Sequence, residues 1–188
     1  GTLSASSLSA GDAGIINIEG GTLTLPAGAS AVSGATFTTS ATTIQLGGSL
    51  NVADTWSSSN TNLSLTADAD LASTAAVEVA ALATNGNNFK LASVTSDLTL
   101  ANAFTLSAGT LSTQGADLIF AGSANISSGA TLDATVVTGT GGTLEFKQGG
   151  TSAGTINAAN ATFKLGANYA VSGTLKTNST TSWELGTA

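Results

Sequence analysis

The chain has 188 residues, a formal net charge of −7 and no cysteine, histidine, methionine or arginine. Charged residues make up 8% of it, against about 25% in an average soluble domain. Hydrophobic residues make up 41%, which excludes an ordinary disordered chain. The missing cysteines exclude a disulfide framework and thiolate metal sites, and the missing basic patch argues against a nucleic-acid partner.

No apolar run approaches the ~20 residues that a membrane-spanning helix needs. The chain opens at Gly1 without a methionine, so we expect a mature or excised piece whose targeting segment has been removed. Serine and threonine together number 55, glycine 23 and proline one. This composition indicates an ordered, neutral chain with a preference for β-structure.

Pairs of apolar residues separated by one position recur along the chain. Eight steps cover the 160 residues from the first pair to the last, a mean of 20 residues per step. Alternation with a period of two predicts strands, and self-similarity at this length is typical of a solenoid. In chain order the pairs are Leu23/Leu25, Ile44/Leu46, Leu63/Leu65, Phe89/Leu91, Phe104/Leu106, Ala124/Ile126, Leu144/Phe146, Phe163/Leu165 and Trp183/Leu185.

A second motif and a set of corner residues accompany these pairs. The motif is a glycine followed closely by an apolar residue, as in Gly48-Ser49-Leu50, Gly109-Thr110-Leu111, Gly129-Ala130-Thr131-Leu132, Gly154-Thr155-Ile156 and Gly173-Thr174-Leu175. The corner residues repeat 20 apart, as Gly14, Gly34 and Asp54, as Asp97 and Asp117, and as Thr140, Asn160 and Thr180. Glycine, asparagine and aspartate suit tight corners. The sequence therefore predicts an all-β, parallel β-helix (β-solenoid) of about nine coils, spanning residues 1–188 as one domain.

The alanine-rich stretch 66–86 interrupts the regular spacing, because the step from Leu63 to Phe89 is longer than the mean and the next step is shorter. We expect an irregular coil or insertion here. Two forms are open, a coil with a bulge or a short helix capped near Asp68 or Asp70. The alternation of Val77, Glu78 and Val79 favours the bulged coil.

Two groups of aspartates are candidate cation ligands. Asp97 and Asp117 could stack at one corner, and Asp68 and Asp70 could offer carboxylate oxygens to calcium. Neither group belongs to the Gly-Gly-x-Gly-x-Asp repeat of calcium-binding β-rolls. We therefore interpret these residues as turn-forming and capping aspartates and assign no metal ligand and no cofactor.

Glu145, Lys164 and Glu184 occupy the same outward position between the two apolar residues of three successive coils. Two stacked glutamates two coils apart would be ~9–10 Å from each other, at the upper edge of the range for an inverting glycosidase. An acid–lysine–acid order is also how a solvated sheet surface avoids like charges in register. We interpret the three residues as a structural ladder and assign no catalytic residue.

The Thr22-Leu23-Thr24 stretch raises the hypothesis of an ice-binding row of threonines. The predicted row of outward residues is Thr24, Gln45, Ser64, Lys90, Thr105, Asn125, Glu145, Lys164 and Glu184. Such a mixture does not form a regular lattice of hydroxyl groups, so we do not favour ice binding.

The strings LTLANAFTLSAGTLSTQGADLIFAGSANISSGATLDAT and GGTLEFKQGG resemble the β-helical repeats of secreted bacterial surface proteins, of the filamentous-haemagglutinin type of adhesin and of autotransporter passenger domains. The resemblance covers essentially the whole chain and is carried by composition and periodicity. It implies a non-enzymatic rod, secreted to the cell surface, that presents or connects other modules.

The sequence thus predicts a structural protein of the bacterial extracellular surface, either an adhesin rod or a fibre or surface-layer subunit. Its terminal coils carry no obvious polar cap, so we expect the chain to be a slice of a longer rod or a subunit that associates end to end. Surface glycans are a further candidate partner. The alternative function is a carbohydrate-binding or polysaccharide-cleaving β-helix protein, and the alternative fold is a β-sandwich fibre subunit completed by a neighbour's strand.

Overall fold

The protein is described from a computed structural model, which covers residues 1–5, 8–10, 14–31, 36–53, 56–135 and 141–186. These residues form twenty-three strands and no helix. The predicted corner residues Gly34, Asp54 and Thr140 lie outside the described residues.

The strands are short except for four near the beginning of the chain. In order they are β1 (Thr2–Ser4), β2 (Leu8–Ala10), β3 (Ile15–Leu25), β4 (Ala29–Ala31), β5 (Thr36–Leu46), β6 (Leu50–Val52), β7 (Trp56–Leu65), β8 (Ala69–Ser73), β9 (Val77–Ala83), β10 (Phe89–Leu91), β11 (Leu98–Leu100) and β12 (Phe104–Leu106). They continue as β13 (Thr110–Ser112), β14 (Leu118–Phe120), β15 (Ala124–Ile126), β16 (Thr131–Asp133), β17 (Thr143–Phe146), β18 (Gly150–Ser152), β19 (Thr155–Asn157), β20 (Thr162–Leu165), β21 (Tyr169–Val171), β22 (Thr174–Lys176) and β23 (Ser182–Leu185).

Three parallel sheets wind into one solenoid. A ten-stranded sheet has the order β1-β3-β5-β7-β9-β11-β14-β17-β20-β23, a nine-stranded sheet the order β2-β4-β6-β8-β10-β13-β16-β19-β22, and a four-stranded sheet the order β12-β15-β18-β21. Successive coils are about 20 residues apart, as when Leu98 pairs with Leu118 and Phe163 pairs with Trp183. The predicted parallel β-solenoid is confirmed, with about eight turns. The β-sandwich alternative is wrong, since the described strand pairs are parallel and join successive coils.

The coil has three sides because the long strands bend in the middle. Positive φ angles at Gly20, Gly21 and Ala41 mark the bend in β3 and β5. Side 1 consists of the first halves of β3, β5, β7 and β9, followed by β11, β14, β17, β20 and β23. Side 2 consists of β1, the second halves of the same four strands, and then β12, β15, β18 and β21. Side 3 is the nine-stranded sheet.

The four-stranded sheet is separate from the ten-stranded sheet but follows β9 along side 2. The backbone N–H of Ala101 donates to the oxygen of Val79 at 2.9 Å, and that of Asn102 donates to Ala80 at 2.8 Å. These bonds bring the chain into β12, which contacts β9. Side 2 therefore runs along nearly the whole rod.

The apolar pairs that defined the repeat in the sequence come from all three sides, which corrects the predicted alignment. Leu23/Leu25, Phe104/Leu106 and Ala124/Ile126 lie on side 2, Phe89/Leu91 on side 3, and Leu144/Phe146 on side 1. The predicted mean of about 20 residues per coil is still correct, because each side contributes one strand to each coil. The apparent irregularity around Phe89 arose from comparing strands on different sides.

The longest step in the described coils lies elsewhere, between Leu118 and its partner Leu144, 26 residues later. The segment 66–86 forms β8 and β9, so the alternative of a short helix there is wrong. A bulge does occur near it, where the register between β7 and β9 shifts between Ser58 and Asn62.

The interior is a continuous apolar column, and alternate residues of the strands on all three sides point into it. Aromatic rings follow one another along it. Phe104–Phe120 and Phe120–Phe146 are stacked, with centroids 5.2 and 5.0 Å apart, and Phe146–Phe163 and Phe163–Trp183 are tilted, with centroids 5.2 and 5.0 Å apart. Burial of each such side chain contributes roughly 1.5–3 kcal/mol. One coil contributes few of them, so neighbouring coils must stack before the fold becomes stable.

Candidate functional site

The acid–lysine–acid ladder predicted on side 1 is present. Glu145 pairs with Lys164, and Lys164 with Glu184, on β17, β20 and β23. The Lys164 Nζ lies 4.0 Å from Glu145 Oε1 and 3.5 Å from Glu184 Oε2. One lysine between two glutamates leaves a net charge of −1 and keeps the two like charges apart. An exposed pair such as Lys164 and Glu184 contributes at most about 1 kcal/mol. The geometry is that of a surface ladder in which Lys164 and Glu184 are exposed and Glu145 is mostly covered.

Asp97 and Asp117 do stack at one corner, but each carboxylate is used by the backbone of the next coil. The N–H of Asp117 donates to Asp97 Oδ1 at 2.8 Å, and the N–H of Thr143 donates to Asp117 Oδ1 at 2.6 Å. Each aspartate thus satisfies a backbone donor where the ladder turns the corner.

Asp68 and Asp70 have different partners in the neighbouring coil and do not form a common site. Asp68 accepts the backbone N–H of Asn88 at 2.8 Å and its side-chain amide at 3.0 Å, whereas Asp70 pairs with Lys90 Nζ at 3.4 Å. The two hydrogen bonds from Asn88, the backbone one first, lower the pKa of Asp68. Asn88 in turn accepts the N–H of Thr110 at 2.9 Å, which extends the ladder by one coil.

Acid should therefore weaken the Asp68 corner. A carboxyl group whose pKa is lowered by folding stabilises the protein above its unfolded pKa, near 4, and that stabilisation is lost as the pH falls through the lower folded value. We expect Asp68→Asn to be less stable than the wild type at pH 7, and this difference to shrink at pH 2. Urea unfolding at both pH values measures it, with Glu19→Gln as the control for loss of one charge. A difference that is equal at both pH values would contradict the assignment.

A buried hydroxyl cluster at the bend of β5 and β7 was not predicted from the sequence. Thr39 Oγ1 accepts from Trp56 Nε1 at 2.9 Å and from Thr61 Oγ1 at 2.9 Å, and Ser58 donates to the Thr39 backbone oxygen at 2.6 Å. Ser58 and Thr61 hydrogen-bond to each other at 2.6 Å. The cluster fills the bend with mutually satisfied polar groups, which limits the cost of burying them. Its hydroxyls are common residue types in this chain, and the sequence carries no signal that distinguishes them.

Side 2 corrects the predicted row of outward residues. Thr24, Gln45 and Ser64 do form one row, and Thr105 and Asn125 another on the same side. Lys90 lies instead on side 3, and Glu145, Lys164 and Glu184 on side 1. The true continuations on side 2 are Ala83, after Ser64, and Thr151 and Ala170, after Asn125. Among the described residues side 2 is therefore free of charge, although glutamine, asparagine and alanine still interrupt its hydroxyl groups.

Tyr169, the only tyrosine, lies on β21 and is half-buried. Its hydroxyl donates to the backbone oxygen of Thr151 at 3.2 Å, and its ring packs on Phe146 with centroids 4.4 Å apart. Burial raises the pKa of the Tyr169 hydroxyl. Its role is to close the interior near one end of the rod.

In the described part of the chain, no three acidic, histidine or cysteine side chains come together in an arrangement that could hold a metal ion. A helix long and apolar enough to cross a membrane is likewise absent among these residues. The charged residues predicted as candidate site residues lie on the outside of the rod, as the ladder of Glu145, Lys164 and Glu184 and as aspartates at corners and on side 3.

The end of the rod formed by β21, β22 and β23 exposes large apolar side chains. Trp183, Leu185 and Val171 are 49%, 76% and 40% exposed, although their partners one coil earlier face the interior. An open cleft of about 590 Å³ lies here, between Leu165, Tyr169 and Leu185. Comparison with known proteins gave no match to any protein-family model, curated protein or solved structure.

Proposed function

We propose that the chain is a non-enzymatic structural protein of the bacterial extracellular surface, a rod that associates end to end as part of a fibre, surface layer or adhesin. The observation that carries this proposal is the last described coil. Its strand β23 pairs with β20 along one edge and presents Trp183 and Leu185, residues in interior positions, to solvent. Such an edge is a template for another strand.

The opposite end of the described coils has the same character. Strand β1 pairs with β3 only, and Leu3, which pairs with the buried Leu23, is 57% exposed. A strand added at either end would gain backbone hydrogen bonds and cover apolar surface. A second copy of the chain can provide both, because a parallel solenoid presents N–H and C=O groups along its axis at each end.

The ladders of hydrogen bonds support a mechanical role. Side 3 is one unbroken ladder of nine strands. The corners add side-chain hydrogen bonds, such as the one from the Asn178 amide nitrogen to Asn160 Oδ1 at 2.8 Å. Force along the rod is thus shared by many parallel bonds. The chain carries few charges and its described interior is apolar, which supports a rod held together by packing and by hydrogen bonds between coils.

Lysines on the terminal strand should block this association. We expect the double variant Trp183→Lys, Leu185→Lys to stay monomeric at concentrations at which the wild type assembles, because two cations cannot be buried against an incoming apolar edge. Interior coils should keep their β-structure, since each coil contacts only its neighbours. Sedimentation velocity measures the association, and circular dichroism the fold.

The matched control places two lysines away from both ends, with Ala92→Lys and Val94→Lys at an exposed corner. This variant adds the same charge and should assemble as the wild type does. Equal assembly of all three proteins would overturn the terminal edge as the interface, and failure of the corner variant alone would move the interface to the side of the rod.

A further inference from the structure

Side 2 is the one long surface of the rod without a charged side chain among the described residues. Its outward residues are Ser4, Thr24, Gln45, Ser64 and Ala83 in one row, Thr2, Thr22, Thr43, Asn62 and Ala81 in a second, and Thr105, Asn125, Thr151 and Ala170 in the continuation. All of them are hydroxyl, amide or alanine side chains.

The described charged side chains all lie elsewhere. Side 1 carries Glu78, Glu145, Lys164 and Glu184, side 3 carries Asp70, Lys90, Asp133 and Lys176, and the bends and corners carry Glu19, Asp68, Asp97, Asp117 and Lys147. The chain has a net charge of −7. A neutral partner that binds side 2 would cover no charged side chain, so binding there avoids the cost of removing water from a charge.

The polar groups of side 2 are held in order by one another. Thr24 Oγ1 donates to Gln45 Oε1 at 2.8 Å, Asn85 Nδ2 donates to Ser64 Oγ at 3.1 Å, and Thr151 Oγ1 donates to Asn125 Oδ1 at 2.9 Å. Because hydroxyl and amide groups both donate and accept, each row offers donors and acceptors along its length, interrupted only at Ala81, Ala83 and Ala170. The coil spacing of about 4.8 Å fixes the repeat along the rod.

The dimensions of side 2 decide between partners. Nine strands at about 4.8 Å and three residues across give a strip of roughly 40 Å by 10 Å. Pairing two such strips would bury about 800 Å² in total, below the roughly 1,200–2,000 Å² of a stable protein–protein interface. The strip is long and narrow, as required for a single extended polymer chain.

We propose that side 2 binds an uncharged polysaccharide lying along the rod axis. This inference rests on the proposed function of a surface rod and names its ligand class. Side 2 presents no outward aromatic ring among the described residues, so each sugar is held by hydrogen bonds alone, and affinity accumulates along the chain through many weak contacts. Binding should therefore require a polymer and be absent for a disaccharide of the same sugar.

Affinity electrophoresis in native gels tests this inference. The probes are the neutral polymers hydroxyethylcellulose, soluble starch and galactomannan, with anionic carboxymethylcellulose for comparison. We expect at least one neutral polymer to retard the wild type. The double variant Thr105→Glu, Thr151→Glu has both changes at exposed positions of side 2. We expect it to lose at least about tenfold in affinity, because the polymer would cover two unpaired charges and remove water from them.

The matched control carries two glutamates on side 3 away from both ends of the rod, Asn51→Glu and Ser112→Glu, and should be retarded as the wild type is. Circular dichroism checks that all three proteins keep their β-structure. Wild-type mobility that no neutral polymer changes would overturn the inference, and so would equal loss in both double variants. Assembly of the wild type, measured separately by sedimentation, distinguishes failure of this inference from failure of the proposed rod.

Discussion

Phe120→Ala is expected to destabilise the protein by about 3–5 kcal/mol, the usual cost of removing a large buried aromatic side chain. Phe120 is fully buried, and its ring stacks between Phe104 and Phe146. Its loss would leave a cavity in the middle of the interior column and break two aromatic contacts at once. Neighbouring coils cannot close that cavity, because their hydrogen-bond ladders fix the coil spacing.

Ile119→Ala is the matched control, since Ile119 is the outward neighbour of Phe120 on the same strand. We expect it to cost less than about 1 kcal/mol, in line with its partial exposure. Urea unfolding followed by circular dichroism measures both variants. If the two substitutions had equal effects, residues 118–120 would not have the inward–outward alternation described above.

Gly150→Ala is expected to have the second largest effect, because it combines backbone strain with a collision. Gly150 has a φ of +146° and pairs with Ala124 of the preceding coil. A Cβ on Gly150 would collide with the Ala124 backbone oxygen. Relieving that contact requires the two coils to move apart, at a cost of about 1–3 kcal/mol. A further ~1–3 kcal/mol comes from placing alanine in a backbone region that glycine alone populates readily.

Gly129→Ala separates the two contributions. Gly129 also has a positive φ, +84°, but a Cβ there would meet no atom within 4 Å. Its substitution should therefore cost the strain alone and leave the ladder between coils intact. Thermal unfolding compares them, and we expect a clearly lower midpoint for Gly150→Ala than for Gly129→Ala. Similar midpoints would show that the close approach of the coils is relaxed in solution.

The period of the fold could be predicted from the sequence because alternation is a local property. A pair such as Phe163 and Leu165 identifies a strand and its inward side without any knowledge of its neighbours. The corner residues were equally visible, and Asp97 and Asp117 do lie at one corner, joined through a backbone N–H. These features depend on single residues and on their spacing.

Assignment of each strand to a side of the coil could not be made in the same way. The apolar pairs do not differ chemically between sides, since Phe89 on side 3 and Phe104 on side 2 are both the first residue of a Phe-x-Leu pair. Only the registers between coils separate them. The charge-free character of side 2 was hidden for this reason, because Lys90 was placed in its row by the sequence spacing.

The charge ladder of Glu145, Lys164 and Glu184 was predicted correctly because its three coils have nearly equal lengths and lie on one side. The longer coil between Leu118 and Leu144 leaves Ala124, on side 2, 20 residues before Leu144, on side 1, so the predicted alignment changes side at this step. Prediction of a solenoid surface from sequence therefore holds over two or three regular coils and fails across an insertion. The buried cluster around Thr39 could not be predicted from alternation or from the spacing between coils, because it forms where β5 and β7 bend.

Electron microscopy of the purified chain over a concentration series tests the central claim, end-to-end association of solenoid rods, most directly. We expect filaments that lengthen with concentration and have an axial repeat near ~40 Å, the length of eight or nine coils at about 4.8 Å each. Monodisperse short rods at every concentration would contradict this claim, and the exposed Trp183 and Leu185 would then not form an interface between copies of this chain.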